Sequence, residues 1–370
     1  MKITDLTITL FAWDDIPARQ FAKHTGRMAG GRSELGLLAI KTDDGVEGHA
    51  FLGSSMRGAN FDAATIIKFL KPLLVGQNPL DRERLYQAMS ARGRNTTPRC
   101  IGAVDIALWD ICGKVANLPI HRMLGSFRDA IPAYASSEVL PSKEAYAEEA
   151  VRIRDSGLQA YKMHPPTIWQ QDIAVCQHVR AAVGDDYRLM LDSTWSYNYV
   201  EALRVGRALE ELSFYWFEDP LDADDITNYV KLRQKLDIPI MATEYSPGGF
   251  QAYATWITMQ ATDFLRADVA VKGGITALIK IAHLAEAFHM NLEVHHGGNS
   301  LNNVANLHVI LAIPNTEYFE VLLPDASQKY GLVQDLHADS EGMIKPPDGP
   351  GLGAQIDFEL IERKKTSVLS

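Results

Sequence analysis

Six apolar runs in this chain each end on an acidic or imidazole side chain, and the six ends recur at a nearly constant interval. They are Asp192 (LMLD), Glu218 (YWFE), Glu244 (IMATE), Asp268 (FLRAD), His295 (NLEVH) and Glu320 (EYFE), separated by 26, 26, 24, 27 and 25 residues. A strand of about five or six residues, its loops and a returning helix of about eleven or twelve take roughly that much chain. A polar residue closing each strand of a repeated strand-helix unit is the pattern of a (β/α) barrel, which carries its chemistry on the C-terminal rim of the strands. The rhythm therefore constrains fold and site together.

At 370 residues the chain exceeds the size at which one core usually keeps growing, which predicts two domains. A net charge of −10 argues against nucleic acid or an anionic membrane as partner and suits an acidic pocket that holds a cation. The three cysteines (Cys100, Cys112, Cys176) are odd in number and lack CxxC spacing, as thiols packed in a reducing compartment would be. The start, MKITDLTITLFAWDD, has no apolar signal core, and no apolar stretch approaches the ~18 residues of a membrane span. A cytoplasmic protein is expected.

The first part of the chain reads differently from the rest. Residues 2–11 and 35–42 alternate like strands, and Asp43-Asp44-Gly45 supplies a turn into VEGHAF. Between these strands KHTGRMAGGRSE, rich in glycine and cations, reads as a mobile loop. Thr97 is a candidate N-cap with Pro98 in the first helical turn, and Ile101, Val104, Leu108, Ile111 and Val115 follow as a helical apolar stripe. From about residue 130 strands are expected near 133–138, 159–164, 187–192, 214–218, 239–244, 264–268, 291–295 and 317–321, with helices between them. Eight alternating strands imply a closed parallel barrel. The tail from about 326, with PPDGPGLG, is expected to pack back on the first domain.

In such a barrel the carboxylates of Asp192, Glu218 and Glu244, closing three consecutive strands, converge. Converging carboxylates repel unless they share a cation. All-oxygen ligands point to Mg²⁺, or Mn²⁺. Any one of the three alone reads equally well as a loop carboxylate. Asp268 and His295 close neighbouring strands, and a carboxylate beside an imidazole fixes its tautomer, as a general base requires. His296 is the adjacent rival, since alternation turns only one of the pair inward. Lys162 and His164, two apart on one face, are placed to polarise a carboxylate or move a proton, and a lysine near a metal and another cation is expected to have a depressed pKa. Glu320 reads either as a protonated donor to a bound anion or as the partner of a cation.

These residues resemble the enolase superfamily, and within it the mandelate racemase subgroup, over essentially the whole chain. RCIGAVDIALWDICGKVANLPIHRMLG followed by AIPAYAS, and the segments LMLDST, WFEDP and RADVAVKGGIT, are similar to that family's motifs. The resemblance implies an α/β fold, a modified TIM-type (β/α)7β barrel (126–325) with an N-terminal α+β capping domain (1–125) and a C-terminal segment (326–370). It places the metal ligands at Asp192, Glu218 and Glu244 and the catalytic dyad at Asp268 and His295. His295 lies 22 residues after Gly273, the family's spacing, which selects it over His296. Muconate-cycloisomerase relatives carry a lysine five residues before the Gly273-Gly274 pair. Here that position is Asp268, which favours the racemase subgroup.

The implied half-reaction is removal of a proton α to a carboxylate, with the metal stabilising the enediolate. One position departs from the family: its usual Lys-x-Lys is Lys162-Met163-His164 here. Lys162 supports the substrate carboxylate, while His164 replaces a second base. That substitution favours a lyase, an acid-sugar (aldonate or aldarate) dehydratase forming a 2-keto-3-deoxy acid. The alternative is a racemase or epimerase of a 2-hydroxy or amino acid. Thr194 is expected to hydrogen-bond substrate or a metal-bound water. The KHTGRMAGGRSE loop resembles the family's capping loop and offers His24, Arg27 and Arg32; with Trp195, Tyr197 and Tyr161 near the mouth, and His296 and Glu320 behind, it suggests a polyhydroxylated small-molecule carboxylate. Homo-oligomers are common among relatives, so one is expected here.

Overall fold

The structure is a computed structural model describing residues 1–370. β1 (Ile3–Ile16), β2 (Gly31–Thr42) and β3 (Glu47–Leu52) form an antiparallel sheet, with Ile8 opposite Leu38 and Leu38 opposite Ala50. Alternating burial along β1 follows the period-2 pattern of its sequence, since one face covers the core and the other meets solvent. Packed on this sheet is the helix Pro98–Ala116, capped by the Thr97 hydroxyl, which accepts from the Cys100 N–H. Gly48 admits the helix: a Cβ there would strike the Ala107 carbonyl oxygen. Ile101, Val104, Leu108 and Ile111 are buried as the stripe predicts. Val115 is exposed, because the last turn of the helix runs out to the surface.

Eight parallel strands follow, with seven helices between them: β4 (Ile131–Ser136), β5 (Ala160–Met163), β6 (Arg188–Asp192), β7 (Trp216–Glu218), β8 (Ile240–Ala242), β9 (Phe264–Ala267), β10 (Asn291–Val294) and β11 (Phe319–Leu322). They are hydrogen-bonded in sequence from β4 to β10, and β11 joins the other side of β4. This is the (β/α)7β barrel expected from the sequence, nearly closed. Between β10 and β11 no ladder forms; the seam is held by the Leu292 N–H on the Asn315 carbonyl (2.8 Å) and by the Glu293 carboxylate on the Glu317 N–H (3.0 Å). Tyr134, Ala160, Met190, Trp216, Met241 and Tyr318 pack together as an apolar plug inside the barrel.

Two further contacts set the first domain over the barrel mouth. Gly102 lies so close to the Val269 carbonyl that no Cβ would fit, and the buried Asp105 carboxylate accepts from the Thr276 hydroxyl (2.6 Å) and N–H (2.9 Å). The helix N-terminal half thus clamps the turn that follows β9. At the other end of the chain, β12 (Met343–Ile344) pairs with β4 and β13 (Lys365–Leu369) pairs with β1, Leu369 standing opposite Ile8. All three cysteines are buried and unpaired. No helix is long and apolar enough to cross a membrane.

Candidate metal centre and active site

Asp192 and Glu218 are the last residues of β6 and β7, and Glu244 follows β8 by two residues. One oxygen from each lies within 4.8 Å of the others, and all three side chains are buried. Beneath them is an ion network. Lys162 Nζ donates to Asp192 Oδ2 (3.1 Å), Glu218 Oε2 (2.9 Å) and Glu320 Oε1 (2.9 Å). Arg266 Nε meets Glu218 Oε1 (2.6 Å), its second nitrogen meets Glu320 Oε2 (2.7 Å), and Trp216 Nε1 donates to Glu218 Oε2 (3.1 Å). Glu320 is not the end of its strand, since β11 runs on to Leu322; it therefore sits a layer deeper, with both oxygens engaged by cations.

The network reverses one expectation. Burial and the Arg266 guanidinium both pull the Lys162 pKa down, but the Glu218 and Glu320 carboxylates overcome them and hold it well above the usual range. Burial would likewise raise Asp192, yet Lys162 and His164 hold it well below the usual carboxylate range. Glu244 behaves oppositely: burial and the Asp219 carboxylate push its pKa well up. Asp219, next to Glu218 and buried, is raised in the same way by burial and by Asp192 and Glu218. Five carboxylates (Asp192, Glu218, Asp219, Glu244, Glu320) thus face two fixed cations, Lys162 and Arg266. An all-oxygen donor set with that surplus of negative charge fits a hard divalent cation such as Mg²⁺.

Two imidazoles flank the cluster. His295 follows β10; its Nδ1 pairs with Asp268 Oδ2, and its Nε2 lies 3.1 Å from Glu244 Oε1. Asp268 is itself fixed, its Oδ1 accepting from the N–H groups of Ala270 (2.6 Å) and Val271 (2.7 Å). Burial would raise its pKa, but the His295 contact and the Val271 N–H keep it below the usual range. His164 follows β5. Its Nδ1 donates to the Ser137 carbonyl (2.6 Å), which leaves Nε2 facing Asp192 Oδ2 at 3.1 Å. His296 turns the other way: its ring packs on Phe319 (4.1 Å between centroids) with neither ring nitrogen hydrogen-bonded, and burial lowers its pKa to about 3. Its backbone N–H, on Glu320 Oε2 (2.9 Å), is its link to the site.

Above the cluster is a cavity of about 580 Å³ lined by Lys162, His164, Asp192, Asp219, Glu244, His295 and Glu320 below, and by residues of the first domain above. The loop after β1 is folded down on the barrel. Arg19 and Met28 pair through their backbones, the Thr194 hydroxyl donates to the Phe21 carbonyl (3.4 Å), the Lys23 N–H donates to the Thr167 hydroxyl (2.9 Å), and the Val139 N–H donates to the Gln20 carbonyl (2.7 Å). Of the loop's expected contributors His24 lines the cavity, 3.2 Å from the Ser196 hydroxyl. Arg27 and Arg32 do not: both are exposed, and Arg32 pairs with Asp14 (3.5 Å). Thr194 and Trp195 line it, whereas the hydroxyls of the buried Tyr161 and Tyr197 bond Glu149 (2.9 Å) and Asp172 (2.6 Å), outside the lining.

Sequence reasoning missed Arg266, Asp219 and Tyr245. Arg266 had a signal: a charge inside an apolar run, two residues before Asp268 and hence on the same strand face. Tyr245 lines the cavity edge-on to Trp195 (5.5 Å) and accepts from Arg99 of the capping helix (3.0 Å), a contact between segments 146 residues apart that no local pattern reports.

Residues 145–360 match the family described as enolase C-terminal domain-like, and residues 7–125 match the mandelate racemase / muconate lactonizing enzyme N-terminal domain. The chain belongs to the enolase superfamily. Similar members include the arabinonate dehydratase of Saccharolobus solfataricus, 30% identical over 349 residues that cover 90% of this chain and 91% of the relative. The N-succinyl-L-Arg/Lys racemase of Bacillus cereus is 28% identical over 88% of this chain and 89% of its own length. Among solved structures, D-glucarate dehydratase from Agrobacterium tumefaciens, complexed with magnesium, superposes with a TM-score of 0.90 at 34% identity, over 99% of this chain and 100% of that one. Dehydratases are lyases, and racemases occur in the same superfamily.

Proposed function

We propose that this superfamily member is a Mg²⁺-dependent dehydratase of an acid sugar, removing the proton α to a carboxylate and the β-hydroxyl to leave a 2-keto-3-deoxy acid. The observation that carries the reading is the His295 imidazole, held by Asp268 through Nδ1, with its Nε2 directed at the edge of the three-carboxylate cluster. Asp192, Glu218 and Glu244 would hold the ion, and when bound it would supply Lewis-acid stabilisation of the charge developing on the substrate's carboxylate oxygens. Lys162 lends the floor a fixed positive charge for the same oxygens. His295 takes the α-proton at Nε2, because Asp268 fixes the ring proton on Nδ1 and stabilises the imidazolium that results. That proton then serves the departing hydroxyl, with His164 as the second acid or base. The folded-down loop excludes water while this happens.

The dehydratase names among similar proteins support the choice of reaction. A specific observation favours a second reading, epimerisation: His164 flanks the Asp192 end of the cluster and His295 the Glu244 end, so the substrate meets an imidazole on two sides. Incubation with Mg²⁺ in D₂O and a panel of acid sugars separates the two. Keto-acid formation is expected. Deuteration at the α-carbon with inversion and without keto acid would replace dehydration by epimerisation.

A further inference from the structure

The upper half of the cavity differs chemically from the lower. Its walls are Phe21, Met28, Met56, Tyr245 and Leu322, with His24 and Thr25 as the polar groups contributed by the first domain. No arginine lines the cavity, and its one lysine, Lys162, is committed to three carboxylates in the floor. The first domain has cations nearby, and none enters the lining: Arg99 donates to the Tyr245 hydroxyl (3.0 Å) from outside it. Arg19 is buried against the Ser55 hydroxyl and the Ser327 carbonyl, Arg57 pairs with Asp62 (3.0 Å), Arg32 pairs with Asp14, and Lys23 and Arg27 are exposed outside the lining. The loop is already down on the barrel, so this is the lining that a bound substrate meets. Asp222 adds a carboxylate to those of Asp192, Asp219, Glu244 and Glu320 around the same space.

From this we infer that the site takes monocarboxylates, acids whose end remote from the α-carbon is uncharged, and discriminates against diacids of the same length. The inference rests on the carboxylate-at-the-metal reading above and narrows it. A second carboxylate reaching the roof would be desolvated against thioether and aromatic surface with no cation to pair it, in a space already surrounded by negative charge. Hydroxyl groups carry no such penalty: His24, Thr25, Thr194 and the unpartnered Trp195 Nε1 can serve them. Like-charge juxtaposition costs several kcal/mol, so a preference of at least about a hundredfold is expected.

The test uses the Mg²⁺-loaded protein and matched aldonate–aldarate pairs of equal chain length and configuration, measured both for kcat/KM and for dissociation constant by calorimetry. At least about a hundredfold preference for the monoacid is expected in both. Met28→Arg and Met56→Arg, from separate segments of the roof, should each narrow it at least tenfold by supplying the missing guanidinium. A diacid bound or turned over as well as its monoacid partner overturns the inference. So does a diacid preference abolished by His24→Gln, which would assign His24 to a second carboxylate. Monoacid-selective binding without keto acid from any compound would sink the dehydratase reading and leave this one standing; no binding by any acid would sink both.

Discussion

Replacing Asp268 by Asn changes one atom at the centre of the proposed proton transfer, and the surroundings dictate how the amide must lie. Oδ1 of Asp268 accepts two backbone N–H groups, from Ala270 at 2.6 Å and Val271 at 2.7 Å. In the variant the amide oxygen has to take that position, since turning the NH₂ towards two buried donors would strand both at about 1–3 kcal/mol each. The NH₂ then points at His295 Nδ1, which must become an acceptor. The ring proton moves to Nε2, where it donates to Glu244 Oε1, 3.1 Å away. His295 keeps its place and its contacts but presents a proton where a lone pair is needed. General-base assistance contributes about 10²–10⁴ in rate, so kcat should fall by that factor, some 3–5 kcal/mol of transition-state stabilisation. Hydrogen-bond count is conserved, so melting temperature and Mg²⁺ affinity should hardly change. Steady-state kinetics in excess Mg²⁺, together with ¹⁵N NMR of labelled histidine, reads both halves of the argument. A variant that keeps more than a tenth of wild-type turnover, or whose His295 retains the proton on Nδ1, would refute it.

Glu244→Gln removes one of three clustered carboxylates and should weaken Mg²⁺ binding at least tenfold by calorimetry; unchanged affinity would remove Glu244 from the ligand set. Burial raises Glu244 and Asp219 above the ordinary carboxylate range, so Mg²⁺ should bind more weakly as pH falls, with proton release on binding, and a pH-independent constant would contradict this. Arg266→Met strips a buried partner from Glu218 and Glu320. Breaking such pairs costs about 3–5 kcal/mol, and a chain of this length melts with an entropy of roughly 0.8 kcal/mol/K, so the melting temperature of the metal-free protein should drop about 4–6 °C. At the barrel seam, burial and the Glu317 carboxylate raise the Glu293 pKa to about 7. A folded-state value above the unfolded one gives stability that is complete below the unfolded pKa near 4 and is lost as pH rises through about 7. Glu293→Gln should therefore flatten the decline in melting temperature between about pH 4.5 and 7.5; an unaltered slope would assign that decline to other groups.

The sequence by itself determined the architecture and the identity of the rim. Strand and helix periods are local properties of the chain, so a 25-residue rhythm shows where strands end, and alternation shows which residues share a face. Asp192, Glu218, Glu244 and Asp268 were legible for that reason, whereas His295 was separated from His296 only by the spacing from Gly273 that the family resemblance implies. The helix from Pro98 was legible as well, announced by its cap and its stripe. What the tertiary structure alone decided is which charges meet. Lys162 was read beside a metal and His164, but the register of β5, β9 and β11 sets it among Glu218, Glu320 and Arg266, and that reverses the sign of its pKa shift. Glu320 lies a layer deeper because β11 continues two residues past it. His24 reaches the cavity while Arg27 and Arg32 do not, since a loop without periodicity takes its orientation from what it docks on. Electrostatic energy depends on distances between residues far apart in sequence, and those distances exist only once the barrel has closed.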